Sequence, residues 1–248
     1  MKPDAPPRDS GSGFANRAYY DDFSAGYEDA RGQGYHKLLD DLEVAVLAPL
    51  CQGRRVLEAG CGTGLILSRL TDQASEAYGF DLSPGMVARA RSRGLRVTLG
   101  SVTAIPFADA SFDVVCCFKV LPHVPEIETA LRELMRVTRP GGRLVLEFYN
   151  PMSLRYLAKR IAGPQPISAK RSEADVFTRW DTPWAVARRL PEGAIFEGFR
   201  GVRVLTPAAA VHRLPIVGPA LALGERLALD SPLRYFGGFL IAILRKAV

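Results

Sequence analysis

Between Tyr35 and Tyr149, apolar residues fall alternately into short runs and helical repeats. Leu38, Leu42 and Val46 recur at i, i+4 and i+8, with Asp40, Asp41 and Glu43 between them. This predicts an amphipathic helix over Tyr35–Leu50, its acids on the solvent side, ended by Pro49 and Gly53. Val56 and Leu57 mark a buried strand over Arg55–Glu58, and Leu65, Ile66, Leu67 and Leu70 return to helical spacing. Ala77–Asp81 reads as the second strand, Ser83–Arg93 as a helix stopped by Gly94, and Arg96–Gly100 as the third strand. The fourth, Val114–Lys119, is apolar on both faces, with Cys116 and Cys117 pointing opposite ways. Ala130, Leu131, Leu134 and Val137 mark a helix over Ile127–Arg139, Pro140-Gly141-Gly142 stops it, and Arg143–Tyr149 is the fifth strand. Strands alternating with helices at this rhythm predict an α/β fold with a doubly wound parallel sheet.

After Asn150-Pro151 the rhythm breaks. Ser153–Ala162 places Leu154, Leu157, Ala158 and Ile161 on one helix face and Arg155, Lys159 and Arg160 on the other, a basic amphipathic helix suited to a cap or a membrane surface. Gly163–Ser172 reads as a proline-containing loop. Asp181–Leu190 reads as a helix opened by Asp181 or Thr182, with Pro183 in its first turn, and it carries Trp184. Ile195–Leu205 and Gly238–Leu244 are the last two strands. Between them, Thr206–Gly237 is too rich in Leu, Ala and Pro for a disordered linker and reads as a helical cap or an interface.

Composition narrows the class. The chain has 248 residues, 48% of them hydrophobic, enough for one large core with a cap. Residues 1–13 are Pro, Gly, Ser and charge, a disordered leader. The four cysteines, Cys51, Cys61, Cys116 and Cys117, form no zinc or disulfide pattern, which suits a reducing cytoplasm. No apolar run reaches the ~18 residues of a membrane span, and no signal sequence opens the chain. The reading is cytoplasmic, with peripheral membrane contact or a homodimer as further options. The charge of +6 is uneven: residues 1–150 carry 17 basic and 19 acidic residues, residues 151–248 carry 15 and 7. The basic half attracts an anionic substrate, a membrane surface or RNA, or is simply a solvated arginine-rich surface.

Candidate chemistry starts at Val56–Gly64, V-L-E-A-G-C-G-T-G. Its glycines allow a tight strand-to-helix turn and a close ligand approach, and the following helix N-terminus would offer amide groups to a polar ligand. The G-x-G-x-G spacing is neither the dinucleotide nor the phosphate-loop pattern. Asp81 ends the second strand, where a carboxylate can accept both hydroxyls of a ribose, or else cap the helix after it. His123, at the tip of the fourth strand, is the acid–base candidate, because an unperturbed imidazole titrates near neutral pH, with packing as the alternative.

E-A-G-C-G-T-G, G-F-D-L-S-P-G-M, I-P-F-A-D-A-S-F-D-V-V and L-R-E-L-M-R-V-T-R-P-G-G-R-L-V-L, in that order, resemble the class I S-adenosylmethionine (SAM)-dependent methyltransferases. The group they look most similar to includes the ubiquinone and menaquinone C-methyltransferases. The resemblance covers roughly Tyr19–Tyr149 and is specific for cofactor and fold, not for substrate. It implies a Rossmann-like seven-stranded sheet, a core over 14–150 with an N-terminal lid, and cap insertions after strands five and six within 151–248. It implies SAM as cofactor, its methionine end held by Glu58 and by Gly60, Cys61, Gly62 and Gly64. Asp81 would hold the ribose; Leu82, Ser101 and Val102 would surround the adenine. Met86, Phe118 and, from the lid, Tyr27 complete the expected cofactor set; Tyr19, Tyr20 and Phe23 lean to packing. Ser101 stands where the family usually has an acid for the adenine amino group, which weakens that contact. The tip Phe118–His123 lacks the Asn/Asp-Pro-Pro-aromatic sequence of relatives that methylate amino groups of bases.

The reading is methyl transfer to an O, N or C nucleophile of a small acceptor, apolar, aromatic or lipid-like given the leucine- and aromatic-rich caps. Nucleic acid is disfavoured as a partner, and no metal site is expected. Two rivals are an RNA methyltransferase that uses the basic half and a SAM-binding protein without catalysis.

Overall fold

The structure, a computed structural model, describes residues 34–163, 166–168, 171–172 and 177–248. The leader and the aromatic residues Tyr19, Tyr20, Phe23 and Tyr27 lie outside the described residues. Strands β1 (Arg55–Ala59), β2 (Glu76–Asp81), β3 (Arg96–Leu99), β4 (Phe112–Cys117), β5 (Thr138–Tyr149), β6 (Ala194–Val202) and β7 (Phe239–Lys246) form one seven-stranded sheet. Its order is β3-β2-β1-β4-β5-β7-β6. β1 to β5 are parallel, and β7 is antiparallel to both β5 and β6. The reversal follows from the connection. The chain leaves β6 at its carboxyl end, builds helices on that side and re-enters there, so β7 must run back.

Helices α1 (Gly34–Cys51), α2 (Pro84–Ser92) and α3 (Ile127–Val137) cover the sheet. The alternation in β4 sorts its faces: Val114 and Cys116 pack with Leu42, Leu47 and Val56 of the α1 side, Val115 and Cys117 with Leu57, Leu131 and Leu134 of the α3 side. Both faces are buried, which is why the strand is apolar throughout. Ser83 caps α2 through Met86 N–H at 3.2 Å.

Several boundaries differ from the sequence reading. Pro140-Gly141-Gly142 lies inside β5, where a register shift against β4 between Phe112 and Val114 accommodates it. Gly163–Ser172 is not a plain loop: Pro166–Ser168 pairs with Arg171–Ser172 as a short hairpin. The segment after the glycines forms only a 3-10 turn, Leu67–Arg69. Ile66 and Leu70 pack toward α1 while Leu67 packs toward α2.

Two helices are oriented against their sequence pattern. On α1, Asp40 and Glu43 are buried; only Asp41 reaches the surface side, with Lys37 and Arg69. Their partner explains it: Lys119, distant in sequence, sends Nζ to Glu43 Oε1 at 2.7 Å and Asp40 Oδ1 at 3.3 Å. On α4 (Leu154–Ala162) the expected inner face is outside: Leu157 is 56% and Ile161 80% exposed, while Arg155 is 6% exposed.

After β5 and β6 the chain builds a roof over the carboxyl ends of the strands. α5 (Pro183–Arg189, capped by Thr182) instead packs Val186 on the α3 face of the sheet. The roof comprises α4, α6 (Val217–Ala228) and 3-10 turns at Ala209–Arg213 and Pro232–Phe236. The buried Glu225 of α6 accepts from Val204, Leu205 and Thr206 N–H at 2.8, 3.0 and 2.9 Å, and from Thr206 Oγ1 at 2.7 Å. Asn150 donates to the Tyr235 and Gly237 carbonyls at 2.8 and 3.1 Å, tying the end of β5 to the start of β7. Glu225→Ala leaves these donors without their acceptor and is expected to lower stability by about 3 kcal/mol, the upper range for orphaned buried groups. Urea denaturation measures this; a loss below about 1 kcal/mol would mean the roof is held by packing instead.

Candidate functional site

The glycine turn, β2's end and the loop after β3 meet at one edge of the sheet. Gly60, Gly62 and Gly64 have φ of 72°, 54° and 81°, a region costly for side chains. A Cβ on Gly60 would collide with Val120, and one on Gly64 with Leu95. The absent side chains therefore admit protein packing, not only a ligand. The turn's amides are also largely engaged. Gly60 and Cys61 N–H bond to Phe80 O at 2.9 and 3.0 Å, and Gly64 N–H to Cys61 O at 2.9 Å. With no α-helix following, the expected helix N-terminus is not formed.

What the turn presents is carboxyl chemistry. Asp81 accepts from Gly62 N–H through Oδ2 at 2.8 Å and from Ser83 N–H through Oδ1 at 2.9 Å. It joins the turn to the start of α2, although the helix cap itself is Ser83. Glu58, on β1, is buried; its carboxyl accepts from the Leu67 amide, and Oε2 has no partner among the described residues.

Beside Asp81, Gly100 N–H bonds to Asp81 O at 3.0 Å and brings Ser101 and Val102 to the same edge. The Ser101 hydroxyl is 2.8 Å from Thr103 Oγ1 and shapes its own turn. Val102 is buried, Leu82 half-buried. Met86, Cys61 and Phe118 are buried: Cys61 packs with Leu67, Phe118 toward α1. Tyr27 lies outside the described residues.

Behind the turn, carboxyl groups gather around one ammonium. Glu43, Glu58 and Glu147 are buried on the α1 side, with Asp40 and Lys119 at the rim. Lys119 has φ of 58°, in the left-handed region that a side chain seldom occupies, and this turns it back under the strand tips. Its N–H reaches Glu147 Oε1 at 3.2 Å. Burial, reinforced by Glu43, pushes the Glu58 and Glu147 carboxyls well above the ordinary carboxyl range.

His123 stands past β4 as the sequence placed it, and the structure adds its partners. Nδ1 lies 2.9 Å from the Phe177 carbonyl and Nε2 3.3 Å from the Tyr149 hydroxyl. A carbonyl only accepts, so Nδ1 carries the proton and Nε2 receives the Tyr149 O–H. Burial holds the imidazole below its ordinary 6.5, hence neutral near pH 7. Residues 177–181 strap the tips together: Arg179 N–H bonds to Pro122 O at 2.7 Å and Asp181 N–H to Tyr149 O at 2.8 Å. Trp180 packs on Tyr149 and Tyr156 at 5.5 and 4.7 Å between ring centroids. Sequence reading missed Tyr149, Lys119, Glu147 and Trp180. An aromatic and a glutamate at the end of β5 were the available signals.

Residues 57–146 match the protein family described as a methyltransferase domain. The demethylmenaquinone methyltransferase of Mycolicibacterium paratuberculosis is 40% identical over 175 residues, covering 64% of this chain and 75% of that protein. The enzyme of the same name from Beutenbergia cavernae is 43% identical over 102 residues, 40% of this chain and only 42% of the relative's length. Among solved structures, a SAM-dependent methyltransferase of Thermotoga maritima superposes with a TM-score of 0.65 at 20% identity, covering 92% of this chain and 99% of that one. That likeness concerns the fold.

The raised Glu147 carboxyl makes stability depend on pH. Its contribution is complete below the unfolded value near 4.5 and is lost as pH rises through the higher folded value. Glu147→Gln removes that ionisation. Its melting temperature is expected to fall less than the wild type's as pH rises from about 5 to about 9. Parallel melting curves across that range would show that Glu147 ionises without penalty.

Proposed function

The chain belongs to the class I SAM-dependent methyltransferases, and from that membership we propose that it transfers the methyl group of SAM to an O, N or C nucleophile of a small apolar or aromatic acceptor. The observation that carries the reading is the set of carboxyl groups at the glycine turn. SAM is a sulfonium bearing an ammonium group, and a buried carboxyl without a partner fits such a cation. Glu58 would receive the ammonium and ionise in response, with Gly60–Gly64 shaping the methionine end. Asp81, at the end of β2, would take the ribose hydroxyls, and Leu82, Val102 and Met86 would flank the adenine. We assign Ser101 a backbone contact there, because its hydroxyl already serves Thr103. Cys61 and Phe118 would support the turn and the methionine end by packing, with Tyr27 closing over them from the lid.

SAM, when bound, supplies an electrophilic methyl group. The chain's part is to align the nucleophile, exclude water and move a proton where the acceptor has one to lose. Tyr149 and His123 suit the proton transfer, because the neutral imidazole accepts from the hydroxyl, which can take up a proton from a group above it. We assign residues 34–150 to the cofactor core and 151–248 largely to the roof that shapes the acceptor pocket. The relatives named demethylmenaquinone methyltransferases support a quinone-like aromatic acceptor. The outward leucines of α4 beside Lys159 and Arg160 support delivery of such an acceptor from a membrane surface. Four free, buried cysteines agree with a cytoplasmic setting.

Asp81→Ala is expected to weaken SAM binding by about 1.5–3 kcal/mol, the range for hydrogen bonds to a charged group. Calorimetry on the folded variant decides; unchanged affinity would leave Asp81 as a brace between Gly62 and Ser83 only.

His123→Ala is expected to lower turnover roughly 10²–10⁴-fold with SAM affinity intact. Because burial lowers the His123 pKa, wild-type activity should already be level at neutral pH and decline only in acid. Near-normal turnover in the variant would reduce His123 to packing.

A further inference from the structure

Arg155 breaks three ordinary rules at once. It is a cation in the first turn of α4, where the helix dipole disfavours positive charge. It is 6% exposed. And it has no hydrogen bond or ion pair among the described residues, with Nε and Nη1 both buried and unsatisfied. A guanidinium does not escape this by losing its proton. A buried charge is normally paired, since several kcal/mol of hydration are otherwise forfeited.

The surroundings offset only part of that. The Arg155 Cζ lies 4.1 Å from the Tyr149 ring centroid, 4.6 Å from that of Phe239 and 4.9 Å from that of Trp180. Such contacts hold the cation over ring faces, but aromatic faces do not replace acceptors for N–H groups in the guanidinium plane. Nearby charges do not supply them either. Lys119 answers Glu43 and Asp40, and Arg203 donates to the Thr206 and Pro207 carbonyls. The Tyr35 hydroxyl, within electrostatic reach of Arg155, is also buried with no partner among the described residues. Glu147 lies within electrostatic reach of Arg155 and its Oε2 also has no partner among the described residues, but no hydrogen bond or ion pair joins the two. The Arg155 donors are thus left without a direct acceptor, and they adjoin Tyr149, the partner of His123.

We propose that Arg155 is the binding residue for an ionised oxygen, phenolate, enolate or carboxylate, on a planar aromatic acceptor, whose ring joins the Tyr149–Trp180–Phe239 group. The proposal rests on the methyltransfer reading for the word acceptor, but not for the site itself. It names a residue that sets specificity: the guanidinium donates charge-assisted hydrogen bonds to an anion and favours the ionised over the neutral form.

The test compares 2-naphthoate with its neutral analogue 2-naphthalenemethanol, by calorimetry, with and without SAM. Wild-type protein is expected to bind the anion at least about tenfold tighter, in line with a charge-assisted hydrogen bond. Arg155→Met should lose that preference while binding the neutral probe unchanged, and its melting temperature should hold or rise, since an unpaired buried charge is gone. Arg155→Lys, which keeps charge without the fork, should retain an intermediate preference and serves if the Met variant fails to fold. A wild type without anion preference overturns the proposal, as does a preference that survives in Arg155→Met or, should that variant not fold, one undiminished in Arg155→Lys. Failure of SAM to bind, with naphthoate selectivity intact, would instead sink the methyltransfer reading and leave the anion site standing.

Discussion

The structure turns on one electrostatic arrangement, the carboxyl groups of Glu43, Glu58 and Glu147 packed around the ammonium of Lys119 behind the strand tips. It fixes the face α1 presents to the sheet, because Asp40 and Glu43 must reach that ammonium. It also forces Lys119 into a left-handed backbone conformation, which turns the chain sharply from β4 toward His123. Carboxyls that cannot all ionise in a low-dielectric site leave protons to release when a cation arrives. The pocket's acidic character is thus built into the packing and does not depend on loops.

The side proposed for the acceptor follows a contrasting rule. Its floor is aromatic, from Tyr149, Trp180 and Phe239, and its charged group is Arg155 on the roof. Arg155 and Glu147 of the carboxyl group lie within electrostatic reach of each other. Under the proposed function, the carboxyl groups would face a cationic methyl donor and the guanidinium an electron-rich acceptor.

The strands and the alternation of β4 were legible in the sequence because they depend on local periodicity. So were Thr182, as one of two cap candidates, and Asp81 at the end of β2, although the cap of α2 is Ser83 and not Asp81. What failed depended on distant partners. Asp40 and Glu43 look like a solvent face until Lys119 is brought beneath them. Arg155 looks like a surface arginine until three aromatic rings from β5, the 177–181 strap and β7 surround it. The glycine turn was legible as a turn, but Val120 and Leu95, which occupy the space beside Gly60 and Gly64, come from elsewhere in the chain. His123 was found at its strand tip, while Tyr149 was hidden as the last residue of an apolar strand.

The reversed strand β7 bears on how such a protein changes over time. The chain enters and leaves the roof on the same side of the sheet, so the segment between β6 and β7 is a closed excursion rather than a crossover. Its length can vary without shifting the register of β7 against β5, and none of β1 to β4 carries its weight. A lineage can therefore rewrite the acceptor-facing surface by insertion or exchange at this one place while the cofactor half stays fixed, which makes the roof the part of the molecule most open to evolutionary drift.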